Sequence, residues 1–231
     1  MRRAALLVAL ALAAGGARGA ERVAIVEDVA APSLKLAPFA YLERGSVFAL
    51  RSGERITIAY LSTCNVDVIV GGRVTVGGGR STVEGGTVER EHVACDGGRL
   101  RLPASSATSG GAMVYRDPPT GGLPAPRLLI HGRAPIVEVT PRETRLVIER
   151  IDVAGPPLVL RLGAESALRP GVHDLARLKV DLAPGGLYRL SALGKVMVIA
   201  VATGAEARPR AGLSRFVPFR DLSQPPPKPA A

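Results

Sequence analysis

The side chains best suited to covalent or metal chemistry in this sequence are Cys64, Cys95, His92, His131 and His173. A metal site would have to use His92, which precedes Cys95 by three residues. In a strand that spacing places the two side chains on opposite faces, and the sequence offers no second His/Cys pair. Because two cysteines of an exported chain usually pair, we predict a Cys64–Cys95 disulfide, with free thiols and a metal site as the alternatives.

The sequence also lacks the motifs of common hydrolases and nucleotide-binding enzymes. It has no Gly-x-Ser-x-Gly elbow, and its glycine loops at residues 77–80 and 109–111 lack the Lys-Ser/Thr ending of a phosphate-binding loop. Glu143, Glu149 and Asp152 are single strand or turn acids that form no acid–base pair. We therefore predict no catalytic residue, no metal and no cofactor, with an enzyme whose site is assembled from distant loops as an alternative.

The charge of the chain is basic but dispersed. The 231 residues include 30 Lys and Arg against 20 Asp and Glu, a formal net charge of +10, which falls to +7 when Arg2, Arg3 and Arg18 leave with a leader peptide. The basic residues are scattered singly among acids, and the four Tyr and four Phe provide no aromatic interleaving for base stacking. These features exclude nucleic acid as the expected partner. Attraction to anionic envelope polymers stays open.

The N-terminus has the layout of a secretory signal peptide. Arg2 and Arg3 precede an unbroken apolar run over residues 4–14, and small residues follow. The run is too short to span a bilayer, which takes about 20 residues, and no later stretch is apolar for long enough. We predict a signal peptide over residues 1–20, a periplasmic or secreted protein and no stable membrane insertion after cleavage. An uncleaved N-terminal anchor is the alternative.

Residues 41–102 contain both cysteines and show the pattern of a glycine-turned β unit. Short β-branched runs alternate with glycine clusters, and Ile56, Ile58 and Tyr60 recur with the period of two that is typical of a strand. This pattern predicts a glycine-rich β-roll or meander closed by one disulfide. Its strands are expected at residues 46–50, 54–61, 66–70, 73–76 and 88–95, with a turn at 51–53 and Gly71-Gly72 ending a strand. Closing strands are expected at residues 99–102 and 112–116.

The glycine-spaced strands over residues 45–50, 53–61 and 72–76 resemble the periplasmic β domain of FecR-like proteins. In that family such strands form a small β-roll used in envelope signalling and protein contacts. The resemblance therefore implies a role in protein–protein contact, and it transfers no individual binding residue.

The second half of the chain has the pattern of a β-sandwich. Candidate strands at residues 127–131, 136–139, 144–151, 158–162, 189–193 and 195–203 are separated by proline and glycine turns. The Leu-x-Pro-Gly-x-x-Tyr stretch at residues 182–188, which includes Pro184, Gly185 and Tyr188, resembles the tyrosine corner of fibronectin type III and other immunoglobulin-like sandwiches. That resemblance implies a structural role, in which the Tyr188 hydroxyl bonds back to the backbone a few residues upstream.

Together these patterns predict an all-β protein with five segments. They are a signal peptide at residues 1–20, a FecR-like β domain at 21–116, a proline-rich linker at 117–126, an immunoglobulin-like sandwich at 127–204, and a C-terminal extension ending in a disordered proline-rich tail at 205–231. The expected function is non-enzymatic protein–protein contact with an envelope partner, because edge strands of such modules accept a partner strand. A binder of anionic envelope polymers is the alternative.

We expect the exported protein to begin at Ala20 or Glu21, because the small residues before those positions suit signal peptidase. N-terminal sequencing of protein recovered from the periplasm or medium measures this directly. Exported protein that still begins at Met1 would contradict a cleaved signal peptide.

Overall fold

The computed structural model describes residues 21–97, 123–140 and 144–219, which fold as an all-β protein with one disulfide. Below, the N-terminal half means residues 21–97 and the C-terminal half means residues 123–140 and 144–219. The expected signal peptide, the strands predicted near residues 99–102 and 112–116, most of the linker and the tail from residue 220 lie outside the described residues. Among the described residues, no helix has both the length and the apolar character needed to cross a bilayer.

The N-terminal half forms one antiparallel sheet. Its order is β2-β1-β3-β4-β5, and β6 pairs with the first part of β4 while β5 pairs with the second part. β5 and β6 therefore lie end to end along one edge. The strands are β1 (Arg22–Ala30), β2 (Tyr41–Glu43), β3 (Val47–Tyr60), β4 (Asn65–Val76), β5 (Ser81–Glu84) and β6 (Thr87–His92).

The prediction of a turn at residues 51–53 is wrong, because β3 runs without a break from Val47 to Tyr60. The pairing with β4 shifts between Leu50 and Arg55, so the extra residues form a bulge instead of a turn. The bulge is closed by Glu54, whose carboxylate accepts hydrogen bonds from the Arg51 amide at 2.8 Å and the Ser33 amide at 3.0 Å. Sequence periodicity alone did not reveal this bulge because Gly53, with φ of +82°, resembles a turn residue.

The strand end predicted at Gly71-Gly72 is also wrong, since β4 continues through both glycines to Val76. Both have positive φ, +65° and +85°, which bends the strand where its partner changes from β6 to β5. A Cβ on Gly86 would lie 2.1 Å from the Gly71 carbonyl oxygen, so the two glycine pairs are needed for close backbone approach. The spacing of fourteen residues between Gly-Gly pairs reflects this contact between neighbouring strands.

The C-terminal half contains two sheets with the orders β10-β9-β13-β14-β7 and β11-β12-β8-β15. Most neighbours are antiparallel, but β7 runs parallel to β14 and β15 runs parallel to β8. Two short 3₁₀ helices, Leu175–Leu178 and Gly212–Arg215, precede β13 and β15. The strands are β7 (Leu128–Gly132), β8 (Ile136–Glu138), β9 (Arg145–Arg150), β10 (Leu158–Arg161), β11 (Ala167–Arg169), β12 (Val172–Asp174), β13 (Leu187–Ala192), β14 (Lys195–Glu206) and β15 (Phe216–Pro218).

The β structure of the C-terminal half extends past the boundary expected at Gly204. β14 continues to Glu206, and the segment expected to be an extension contributes β15. Leu213, Phe216 and Val217 in this segment are buried. The sequence signal for this packing was the apolar run at residues 216–219, which is short and follows a stretch without periodicity.

The two halves share a hydrophobic core. One cluster of buried side chains lies wholly within the N-terminal sheet and includes Ile56, Ile58 and Ile69. A second and larger cluster contains Ile25 and Phe39 of the N-terminal half together with buried residues of both C-terminal sheets. Unfolding either half therefore exposes apolar surface of the other.

Polar contacts accompany this shared cluster at a site that we call the junction, comprising Phe39, Tyr41, Glu138, Arg169 and Phe216. The Phe39 and Phe216 rings stack with centroids 5.6 Å apart. The Glu138 side chain is 1% exposed, and its carboxylate accepts hydrogen bonds from the Tyr41 hydroxyl and from Arg169 Nη2 at 2.9 Å. Arg169 also donates two bonds to the Phe39 carbonyl oxygen. One guanidinium thus links the backbone of one half to a buried acid of the other.

We predict that Phe216→Ala destabilises both halves together. Removing a buried aromatic ring costs about 3–5 kcal/mol, and Phe216 contacts Phe39 across the junction. Hydrogen exchange measured by mass spectrometry should show the free energy of opening falling equally in β3 and β13. Val196→Ala, at a 56% exposed position, is the matched control and should change neither. Loss of protection confined to the C-terminal half would contradict a shared core.

Candidate functional site in the sheet edges

The disulfide predicted between Cys64 and Cys95 is confirmed, with Cα atoms 5.7 Å apart. Cys64 lies in the turn between β3 and β4, and Cys95 follows β6 by three residues. The Val93 amide donates to the Cys64 carbonyl oxygen at 2.9 Å, so the disulfide fixes the end of β6 against the turn. Because Cys95 is oxidised, the alternative metal site with His92 is not formed.

The edge that this disulfide fixes is polar. All six residues of β6 are exposed, and its sequence alternates charges at Glu89, Arg90 and Glu91. Arg90 lies directly opposite Asp67 of β4, whose side chain is fully buried and accepts hydrogen bonds from Arg90 Nε and Nη2. Charged side chains along an edge discourage pairing with another strand. β6 is therefore an edge with few features of a docking site.

The edge formed by β10 is different, because two of its three exposed side chains are apolar. Leu158 is 42% exposed and Val159 is 51% exposed, while Leu160 and Leu162 of the same segment are buried. The apolar residues of this segment, interrupted only by Arg161, predicted a strand, but they gave no signal that the strand lies at an edge.

The backbone of β10 is unpaired on its outer side among the described residues. The Leu162 amide donates to the Thr144 carbonyl oxygen at 2.9 Å, and the register continues this pairing through Leu160 and Leu158. Since successive residues of a strand point their N–H and C=O groups to opposite sides, those of Val159 and Arg161 face away from β9. We call these groups the open edge.

The open edge is bounded on both sides. Pro156 and Pro157 precede it, and Pro157 has no N–H to offer. At the other end the Gly163 carbonyl oxygen accepts from the Ser166 amide at 3.2 Å. Only a short partner segment can therefore pair along β10.

The outer face of the sheet that contains β10 carries a row of three valines and one serine. Cross-strand register aligns Val159 with Val147, Val147 with Ser191, and Ser191 with Val196. Val159 and Val196 are each more than half exposed. An antiparallel sheet usually has a polar outer face, so this row marks a surface suited to contact with another molecule.

The predicted structural residues lie on the same sheet. Tyr188, on β13, is 5% exposed, and its hydroxyl accepts a hydrogen bond from the Ala183 amide at 2.8 Å. Pro184 and Gly185 form the turn between them, where Gly185 has φ of +74° and its amide donates to the Val201 carbonyl oxygen at 2.9 Å. Tyr188 therefore bonds the backbone five residues upstream and stabilises the turn that precedes β13.

The acids considered for catalysis take structural roles where they are described. Asp152 accepts two bonds from Arg150 at 3.0 Å and one from the Leu187 amide at 3.1 Å. The bonds from Arg150 are the largest cause that lowers the Asp152 pKa to about 2, with the Leu187 amide adding to the effect. Glu149 pairs with Arg189 at 3.1 Å on the outer face. Glu143 lies outside the described residues.

The three histidines lie on different strands, namely His92 on β6, His131 on β7 and His173 on β12. His173 Nδ1 lies 3.0 Å from the Ser166 hydroxyl oxygen, a spacing that a nucleophile and its base would need. Ser166, however, is 0% exposed and lies 3.1 Å from the Gly163 carbonyl oxygen. Burial lowers the pKa of His173. This pair stabilises a turn and has no access to substrate.

Among the described residues, no group of three or more His, Cys, Asp or Glu side chains is placed to hold a metal ion. Comparison of the chain with protein-family models, with curated proteins and with solved structures finds no match. The geometry of the edges and faces therefore carries the functional argument.

We predict that Cys64→Ser lowers stability by about 2–4 kcal/mol, because the disulfide closes a loop between residues 31 apart in sequence. Urea unfolding of the oxidised wild type and the variant measures the difference. The double variant with Cys95→Ser should match the single one. Two titratable thiols in denatured, unreduced wild-type protein would contradict the pairing.

We predict that the ion pair of Asp152 stabilises the fold only above acidic pH. Its folded pKa lies below the ordinary value of 3.8, so its contribution is fully present above about pH 4 and is lost as the pH falls towards 2. Urea unfolding at a series of pH values should show wild type more stable than Asp152→Asn at pH 6 and the two converging near pH 2. A pH-independent difference would show that Asp152 acts through packing alone.

Proposed function

We propose that this chain is an exported, non-enzymatic protein that acts through protein–protein contact at the cell envelope. The observation that carries the proposal is the open edge of β10, where unpaired backbone groups lie beside the exposed Leu158 and Val159 side chains. Backbone pairing supplies affinity in such contacts, and side chains on the two faces supply selectivity. The disulfide supports an oxidising compartment as the site of action.

The resemblances of the two halves to a FecR-like β-roll and to an immunoglobulin-like sandwich belong to the same proposal. The glycine-spaced antiparallel sheet and the Tyr188 hydroxyl bond are the features in their favour. Both kinds of module commonly serve as contact surfaces, which agrees with a binding function. The bulge in β3 and the passage of β4 through Gly71 and Gly72 give this sheet fewer and longer strands than the sequence pattern predicted.

The alternative partner, an anionic envelope polymer, has less support. A polymer-binding face needs arginines that are free to bind it, but many of the arginines pair with acids of the same chain. Arg44, Arg55, Arg133, Arg150, Arg189 and Arg215 each lie within 3.5 Å of a carboxylate oxygen.

A photo-crosslinking amino acid at Val159 tests the proposal in cells that export the protein. We expect a discrete adduct at Val159, because a partner strand on β10 would lie against that position. Val88 on β6 is the matched control, since it is also an edge-strand valine and is 39% exposed. Equal labelling at both positions, or none at Val159, would contradict docking at β10.

A further inference from the structure

The open edge of β10 has a charge as well as an apolar surface, and the charge narrows the choice of partner. Arg161 lies directly opposite Arg145 in the register of β10 and β9, with both side chains on the outer face. Arg161 forms no ion pair with the residues that the structure describes. An acid on the next strand, directly opposite Arg161, would give that guanidinium a partner of opposite charge.

We propose that the partner of β10 is an extended segment of another protein that carries an acidic side chain opposite Arg161 and apolar side chains on either side of it. This inference rests on the proposed function, because it names the chemistry of the strand that docks at the same edge. The segment pairs antiparallel to β10. Its backbone bonds with Val159 and Arg161, whose N–H and C=O groups form the open edge.

The side chains of β10 set the pattern of that segment. On the inner face, Leu158 is 42% exposed at the rim of the core and needs an apolar neighbour. On the outer face, Val159 begins the row that continues through Val147, and a β-branched residue beside it would extend the row. The acidic residue of the partner segment lies two positions from that β-branched residue, directly opposite Arg161. The short edge between Pro157 and Gly163 limits the paired segment to about five residues.

A second copy of this chain fits the edge less well. Antiparallel pairing of two β10 strands about Leu160 would place Arg161 of each copy opposite Val159 of the other. Arg145 and Arg161 from both copies would then share one outer face. Self-pairing brings no acid to either Arg161, because Val159 of the other copy lies opposite it, so the charge favours an acidic partner over self-association.

Fluorescence anisotropy with a labelled, blocked eight-residue peptide tests this partner chemistry. The peptide alternates threonine and valine and holds one central glutamate, and two further peptides replace that residue by glutamine or lysine. We expect the glutamate peptide to bind about two- to fivefold more tightly than the glutamine peptide at low salt, with the preference lost at high salt. Arg161→Glu should reverse the order, so that the lysine peptide binds most tightly.

The backbone contribution is tested by Val159→Pro, which removes an N–H that faces away from β9 and so leaves the β9–β10 pairing intact. We expect every peptide to bind about three- to tenfold more weakly, as for the loss of one hydrogen bond. Val88→Pro is the matched control on β6, because the Val93 bond to Cys64 places the Val88 N–H on the open side of that strand. Circular dichroism checks that each variant is folded. If Val159→Pro does not fold, Arg161→Glu alone tests the proposal.

The outcomes separate this inference from the function on which it rests. Crosslinking at Val159 together with equal binding of the three peptides would overturn the acidic partner and leave docking at β10 in place. Peptide binding that Arg161→Glu does not alter would also overturn it. A concentration-dependent dimer in sedimentation velocity that Val159→Pro abolishes would assign the edge to a second copy. Absence of both peptide binding and crosslinking would overturn the inference and the proposed function together.

Discussion

The fold depends on the burial of one carboxylate, Glu138, where the two halves meet. An acid that is 1% exposed is stable only if its oxygens are bonded, and here Tyr41 of one half and Arg169 of the other supply the donors. Breaking such a buried pair by removing one partner costs about 3–5 kcal/mol. The halves are therefore fixed relative to one another by a contact that neither can satisfy alone.

This constraint explains why the core is shared. β8 holds Glu138 and lies between β12 and β15 in its sheet. The Phe216 ring of β15 stacks on Phe39, a residue with φ of +60° that lies just before β2. Glu27 of β1 adds to the same contact by accepting a bond from the Leu213 amide at 2.6 Å. Burial raises the Glu27 pKa even though two amides act in the opposite direction.

Local sequence pattern predicted the class of fold and most of the strands, because period-two alternation reports directly on the faces of a strand. The residues Ile56, Ile58 and Tyr60 are all buried, as their spacing required. Pattern failed where a glycine lies inside a strand. Gly53, Gly71 and Gly72 look like turn residues, yet they form a bulge and a bend in continuous strands, since Glu54 and the Gly86 backbone close the gaps. Whether such a glycine lies in a turn or within a strand therefore depends on contacts between residues that are distant in sequence.

The sequence predicted that the candidate site would be a strand edge, but not which strand would form it. A protein of many short strands must have edges, but sequence does not say which strand lies at an edge or which of its residues point their amides outward. Which residues of β10 point their amides outward follows from one hydrogen bond, donated by the Leu162 amide to the Thr144 carbonyl oxygen. The sequence alone does not predict that bond. The same holds for Arg145 and Arg161, which are sixteen residues apart in the chain and become neighbours through the register. The Cys64–Cys95 pair was predictable because only two cysteines are present.

The parallel pairing of β15 with β8 has a consequence for the order of events during biosynthesis. Phe216 lies near the end of the described residues. It pairs with Ile136, about eighty positions earlier, and stacks on Phe39, more than a hundred and seventy positions earlier. Until that segment has been synthesised, the large cluster lacks the side chains of Leu213, Phe216 and Val217. Glu27 likewise lacks the hydrogen bond from the Leu213 amide. Contacts this distant in sequence form late and slowly. The large cluster is therefore completed only after synthesis has passed Val217, so the close packing of the two halves waits for β15 to join β8.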